Sequence, residues 1–456
     1  MQLSFVRKIA SKIGMDKAIA YSSGARIVQA VASLGTLFFI AGNLSDAEQG
    51  YYYTFGSIIA IQVFFELGLT SIITQYVAHE SIHVTFDENG IAGEHKYQSR
   101  LASLLRFCVK WYTVISLVLF FVLIFVGFVF FSRYEDKTST VSWRYPWIIL
   151  SIATALKLFQ SPLTSYMMGV GKVKEMNAMM FYQQLSLPLI TWGCLMFGLK
   201  LYALGLSVLV SCLVWLIFIG HKDISIILKK MWEVQLEERV GYMSEIFPMQ
   251  WRIALSWISG YFIFQLFNPV LFATEGAVVA GQMGMTLTAL NAIQAFSMSW
   301  LNTKVPLYSQ LIAIKDYVQL DNIFNKTLKQ MVAVCFMLLV AFFFVIWLLN
   351  ITQLQFNGNV LAERFLDYIP LILMMLPVFL QQFVSSWATY LRCHKQEPFL
   401  LNSICAGIAC CLSTLLFGKL YGLYGITIGY CTISILFFPW GYWIYKTKKA
   451  EWHGKQ

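Results

Sequence analysis

Long apolar runs separated by short polar intervals make up nearly the whole chain. A helix crosses the hydrocarbon of a bilayer in about 20 residues, and with a window of that length the runs fall at 19-42, 51-78, 108-131, 146-170, 177-198, 201-220, 249-272, 278-302, 330-350, 366-391, 398-417 and 421-445. Backbone in lipid must satisfy its hydrogen bonds within its own segment, so runs this long predict helices; a barrel would show short alternating strands. The pattern predicts an all-α integral membrane protein with about 12 transmembrane helices. Composition agrees, with 58% of residues hydrophobic and 12% charged, and a mean hydropathy of +0.65 that a water-exposed surface does not tolerate.

The polar intervals alternate in charge. With the N-terminus inside, the inner intervals carry 23 lysines and arginines and the outer ones 6, namely Arg133, Lys137, Arg144, Lys200, Arg364 and Lys419. The positive-inside rule then places both termini in the cytoplasm, with the chain in the inner (plasma) membrane. A net charge of +10 reads as topological signal with some attraction to anionic membrane lipids, not as a footprint for nucleic acid. The segment 1-18 opens with "MQLSFVRKIASKIGMDK", which is basic, amphipathic and without a cleavable apolar core; it is expected to lie on the cytoplasmic membrane surface. Three longer inner intervals, "HESIHVTFDENGIAGEHKYQSRLASLLR", "HKDISIILKKMWEVQLEERVGYMSEIF" and "YSQLIAIKDYVQLDNIFNKTLKQ", predict interfacial elbow helices. The longest outer interval has about 14 residues, too few for an outer catalytic domain.

The interval 221-248 divides the chain into six spans and six, 19-220 and 249-445, followed by a basic cytoplasmic tail, 446-456. The halves are alike. "ARIVQAVASLGTLFF" and "WRIALSWISGYFIF" place Arg26 and Arg252 at an offset of 252 − 26 = 226, and Gly50 and Gly276 share it, each expected to open the second helix of its half. At 380 − 156 = 224, "LKLFQSPLTSY" lies over "LQQFVSSWATY" and Pro146 over Pro370. Halves with an even number of spans keep one orientation, so two parallel six-helix lobes are expected, with substrate between them.

Away from the span ends, where Lys110 and Asp367 fall, four ionisable residues lie inside spans: Arg26, Glu66, Lys157 and Arg252. A charge in hydrocarbon costs on the order of 3 kcal/mol even on the lenient insertion scale, so each needs a partner, a wet cavity or an escape to the interface. Arg26 and Arg252 lie about two turns from the inner ends of their helices, where a guanidinium can snorkel; snorkelling does not require their symmetry. For Lys157 and Glu66, near mid-span, one reading is a structural ion pair and the other a hydrated cavity. The repeat mate of Lys157 is Gln381, followed by Gln382, and Asn291 with Gln294 lies mid-span on the eighth helix. Three bases, one acid and these amides suit an anionic head on a sugar-like body, because guanidinium and ammonium meet phosphate while amides meet hydroxyls. The candidate substrate-binding set is Arg26, Lys157, Arg252, Asn291, Gln381 and Gln382, with Glu66 as either a cation-coupling group or a counter-ion.

Other chemistry is thin. All nine cysteines fall in or beside apolar spans and are expected as packing residues. The six histidines are scattered over inner intervals; His79 and His83 flank Glu80 at i,i+4 spacing without a third ligand, so neither a metal nor a cofactor is expected. No convergent cluster of Asp, Glu or His supports catalysis, and an enzyme is not expected.

The opening "GARIVQAVASLG", the following "LSDAEQGYYYTFGSIIAIQVFFELGL" and the central "QWRIALSWISGYFIFQLFNPVLFATEGAVVAGQMG", with the two parallel lobes, resemble the polysaccharide exporters of the MOP superfamily, the Wzx-like flippases of undecaprenyl-diphosphate-linked oligosaccharides, over nearly the whole chain. The resemblance implies a MOP/MATE-like transporter that alternates between inward- and outward-open states. Its cationic cavity would receive the polyprenyl diphosphate of a lipid-linked oligosaccharide during O-antigen, lipopolysaccharide, capsule or exopolysaccharide biosynthesis. It implies roles for Arg26 and, by the repeat, Arg252; coupling to protons, sodium or membrane potential, with Glu66 as the deep carboxylate; and polysaccharide-assembly proteins among the partners. Lipid II flippases of the superfamily usually have fourteen spans, which points this chain toward an envelope polysaccharide. A MATE-type multidrug antiporter would share the fold but is expected to carry more interior carboxylates. A major-facilitator transporter would carry a "GxxxDRxGRR"-like loop where "HESIHVTFDENG" stands, and a membrane glycosyltransferase or polysaccharide polymerase would need positioned acids and bases on a large outer loop.

Overall fold

The computed structural model describes residues 17–87, 90–135, 141–394 and 396–453. The expected surface segment 1-18 lies outside them except for its last two residues. Each predicted apolar run falls on a helix. The first half contains α1 (Lys17–Asn43), α2 (Asp46–Ile59), a 3-10 turn (Ala60–Gln62), α3 (Val63–Glu66), α4 (Leu69–Ser81), α5 (His95–Tyr134), α6 (Arg144–Gly169), α7 (Val173–Met196), α8 (Tyr202–Ile219) and α9 (Lys222–Glu233). The second contains α10 (Phe247–Phe264), α11 (Phe267–Thr274), α12 (Ala277–Asn302), α13 (Val305–Ala313), α14 (Tyr317–Thr352), α15 (Tyr368–Arg392) and α16 (Leu400–His453). Among the described residues seven helices are long and apolar enough to cross a membrane, or eight when the bent pair Asp46–Glu66 and Leu69–Ser81 is one span. Others, such as α12, fall short because Gln282, Thr286, Thr288, Asn291, Gln294 and Ser297 dilute their hydropathy.

The last two predicted runs join in α16. Gly422 (φ 54°, ψ −133°) breaks it, and the Glu275 carboxylate accepts the Leu423 N–H at 2.8 Å, capping the second half. A Cβ at 422 would overlap that carboxylate.

The first inner interval departs from the expected elbow helix. β1 (Val84–Asp87) and β2 (Gly90–Gly93) form an antiparallel hairpin with Val84 opposite Gly93, and His95 already opens the 40-residue α5 that continues as the third span. β-branched Val84 and Thr85 favour a strand, and Gly93 has φ +131°, which only glycine adopts freely. In the second interval α9 is amphipathic, burying Ile224, Ile227 and Met231 and exposing Lys222 and Lys229.

The repeat is visible in α6 and α15, which begin at Arg144 and Tyr368, 368 − 144 = 224 residues apart, with Pro146 and Pro370 each third in its helix. Gly50 and Gly276 are not equivalent as expected. Gly276 (φ +90°) is the N-cap of α12, whereas α2 is capped earlier by Ser45. The Ser45 hydroxyl accepts the Glu48 N–H at 3.2 Å and the Glu48 carboxylate accepts the Ser45 N–H at 2.9 Å, a reciprocal capping box that leaves Gly50 inside the helix.

The described residues form two compact units. The first takes in the described residues up to Ala32, Ile61–Arg133 and Ser142–Ala254; the second takes in Ser33–Ala60, the described part of Tyr134–Val141, and Leu255 onward. Relative to the expected lobes, 33–60 packs with the C-terminal half, and the linker 221–248 belongs to the first unit. In the first unit α4 packs on α6, and α8 packs on both α6 and α7. Fully buried Trp147 anchors α6, its indole N–H donating to the Leu123 carbonyl at 3.0 Å. In the second unit α2 packs on α12, and α15 on α14 and α16, around a core that includes Phe324, Trp387, Tyr390 and Tyr445.

Candidate functional site

Glu66 stands at a break in the second span. α3 ends on it, Leu67 and Gly68 take left-handed conformations (φ 48° and 67°), and α4 resumes at Leu69 after a 40° bend. A non-glycine residue such as Leu67 in that region costs roughly 1 kcal/mol or more. The Thr70 hydroxyl donates to Glu66 Oε1 at 2.7 Å, and the buried Tyr112 hydroxyl of α5, without a hydrogen-bond partner among the described residues, lies within electrostatic reach of the carboxylate. Broken spans with freed backbone groups beside a carboxylate are where membrane proteins place coupling cations.

Lys157 is exposed on α6. It makes no ion pair with Glu66 among the described residues, so the structural pair considered from the sequence does not form. The backbones of Arg26 and Arg252 belong to α1 and α10; their side chains lie outside the described residues. Asn291 is exposed on α12. Gln381 and Gln382, about 100° apart around α15, separate. Gln381 lines a cavity and donates to Ser385 Oγ at 3.2 Å, whereas Gln382 is fully buried with neither amide atom partnered among the described residues. In the first unit, then, Glu66 ends α3 just before α4, which packs on the α6 that carries Lys157; in the second, Asn291, Gln381 and Gln382 are not gathered at one surface.

Arg364, counted among the outer topological charges, is 1% exposed. It forms an ion pair with Asp46 Oδ1 at 3.0 Å and donates to the Leu44 carbonyl at 2.7 Å and Gln49 Oε1 at 3.3 Å, while Gln49 Nε2 returns hydrogen bonds to the carbonyls of Arg364 and Gly281. The neighbouring hairpin of β3 (Gln355–Phe356) and β4 (Asn359–Val360) adds the amides of Asn357 and Asn359, which donate to the carbonyls of Gly42 and Ala41. Together they satisfy the carbonyls that α1 leaves open at its C-terminus. Burial pushes the Arg364 pKa down, opposed by Asp46, Glu363 and Glu48.

A second ionic cluster ties the linker to α5. Arg100 pairs with Glu80 at 3.0 Å and with Glu245 at 2.6 Å, and it donates to the Tyr76 hydroxyl, which donates to Glu245. Buried Ser99 accepts the N–H groups of Glu237 and Glu238, Ser103 accepts that of Val240, and Arg106 donates to the carbonyls of Trp232 and Val234. Burial alone would raise the Glu245 pKa, but donation from Tyr76, the Gly241 amide and Arg100 holds it below the usual carboxylate range. Because the folded-state value is the lower one, this stabilisation is present above the ordinary carboxylate pKa and is lost as pH falls through the folded value. Glu245→Gln should imitate that loss at neutral pH, with trypsin cutting after Arg239 several-fold faster than in the wild type; equal rates would count against the clamp.

The fold also brings together two of the scattered histidines. His394 Nε2 and His453 Nε2 stand 3.2 Å apart, with Tyr317 stacked on His453 and Lys449 paired to Asp321 nearby. Among the described residues no group of three side chains suited to a metal occurs.

No family model matches the sequence, and no curated protein matches it. Solved structures do match its fold. An inward-facing MATE-family multidrug resistance transporter of the MOP superfamily aligns over 92% of this chain and 99% of its own, at 13% identity and a TM-score of 0.56. The lipid II flippase MurJ, in an inward closed conformation, aligns over 93% of this chain and 87% of its own, at 12% identity and 0.60. The MATE transporter VcmN of Vibrio cholerae, in a bent form, aligns over 96% and 99%, at 13% identity and 0.53. The chain is therefore a multi-pass, all-α membrane protein with a fold that MOP-superfamily transporters share.

Proposed function

We propose that this protein is a flippase that moves a polyprenyl-diphosphate-linked oligosaccharide across the bacterial inner membrane by alternating access, in the synthesis of a cell-envelope polysaccharide. The observation that carries the reading is Lys157, a cation in mid-span on an uncovered helix face that no acid neutralises among the described residues. Such a group suits a ligand that brings its own negative charge. Arg26 and Arg252, in the same unit as Lys157, supply further positive charge of the kind a diphosphate requires, and Asn291 and Gln381 are amides suited to sugar hydroxyls. Glu66, beside a helix break, is assigned to cation coupling. The fold common to a lipid II flippase and MATE transporters supports a transport role without choosing the cargo.

The test is translocation of undecaprenyl-diphosphate-linked oligosaccharide in proteoliposomes, read by access of a membrane-impermeant lectin. Lys157→Ala is expected to slow it at least tenfold, and Glu66→Gln to remove its dependence on an imposed proton or sodium gradient. Gradient-driven efflux of an organic cation with no movement of lipid-linked sugar would favour the MATE-type antiporter instead.

A further inference from the structure

The second unit holds a cavity of about 230 Å³ bounded by α10, α15 and both halves of α16. Among the described residues its wall carries no charged side chain. Hydrogen-bonding groups come from Ser256, Gln381, Asn402, Ser403 and Ser434, and aromatic rings from Phe264, Tyr430, Phe437 and Phe438. Asn402 is 6% exposed and its Nδ2 has no hydrogen-bond partner among the described residues, an unfavourable arrangement unless something in the cavity accepts from it.

The lining restricts the occupant. An ion would lose its hydration with no counter-charge to replace it, and an alkyl chain would leave the amides and hydroxyls facing hydrocarbon. Aromatic rings among neutral donors and acceptors match a molecule that presents both C–H faces and hydroxyls. We propose that this cavity is a subsite for one neutral sugar unit of hexose or N-acetylhexosamine size. It rests on the proposed function for the source of that sugar, the oligosaccharide of the carried lipid; the chemistry of the cavity stands without it.

Two variants make the subsite testable. Gly260 lines the cavity and a Cβ there meets no atom within 4 Å, so Gly260→Leu adds bulk without an immediate clash. Asn402→Leu removes the unpaired donor while keeping the branching and the number of side-chain heavy atoms, with the cavity beside it to take the extra bulk, and is expected to preserve the fold. Equilibrium dialysis of the purified full-length protein against radiolabelled D-glucose, D-galactose and N-acetyl-D-glucosamine should show saturable binding of at least one, weakened tenfold or more by each variant while the thermal unfolding midpoint holds. Wild-type protein that binds none of the three, or binding unchanged in both variants, overturns the subsite. Saturable, variant-sensitive binding by a protein that moves no lipid-linked sugar supports the subsite and overturns the flippase reading.

Discussion

Replacing Arg364 with alanine is expected to destabilise the second unit more than any other single change of charge. Breaking a buried ion pair costs about 3–5 kcal/mol and an exposed pair about 0–1 kcal/mol. The Arg364 side chain is 1% exposed and Asp46 46%, so water can take over much of the carboxylate's loss, and the pair itself contributes on the order of 2–3 kcal/mol. The Leu44 carbonyl and the Gln49 amide oxygen also lose their donor, which adds to the cost for every acceptor that water does not reach. An asymmetry follows. Asp46→Asn should cost much less than Arg364→Ala, because the guanidinium keeps two neutral acceptors while the alanine leaves them both. Thermal unfolding of the detergent-purified variants measures this, and equal losses would contradict the assignment of Arg364 as the centre of the network.

The second large effect is steric. A Cβ at Gly50 would overlap the carbonyl of Ala277, and one at Gly284 would overlap the Tyr53 side chain, so α2 and α12 approach closely through glycine. Membrane helices gain little from burying apolar surface against each other, since lipid is equally apolar; close backbone contact between small residues replaces that driving force. Overpacking a core typically costs about 1–3 kcal/mol, and here the obstacle is backbone, which cannot rotate aside. Gly50→Leu is expected to exceed that range and to leave little monodisperse protein on size exclusion. Gly193→Leu is the control, because a Cβ there meets nothing within 4 Å; similar yields for the two would refute the tight contact.

The helical architecture was legible in the sequence because hydrocarbon imposes it locally. Any stretch such as 108-131 must form a helix whatever surrounds it. Features decided by distant residues were not legible in this way. Arg364 sits in "NVLAERFLDY" with nothing local to separate a buried loop arginine from a topological one, and its partner Gln49 is 315 residues away. The break after Glu66 carries a faint mark, Gly68 in "FFELGLT", but the same glycine could lie inside an intact span. The hairpin at Val84–Gly93 was missed because the interval from His79 to Arg106, taken as a whole, alternates basic and apolar residues at helical spacing, and a strand pair this short leaves little period of its own. Gln381 and Gln382 were read as one pair of amides, although adjacent residues on a helix face different surroundings.

The candidate charges divide on similar grounds. Lys157 and Glu66 stood out because mid-span charge is rare, and among the described residues they form no ion pair with each other. The Arg100–Glu80–Glu245 clamp was hidden because each member lies in an ordinary polar interval, where charge carries no signal.

The most direct test of the account is lectin access to undecaprenyl-diphosphate-linked oligosaccharide in sealed vesicles that contain the wild-type protein or Lys157→Ala. The account predicts that lipid-linked sugar, introduced in one leaflet, becomes accessible from the other with the wild-type protein and at least tenfold more slowly with the variant. Equal rates in the two, or no movement above protein-free vesicles, would contradict it.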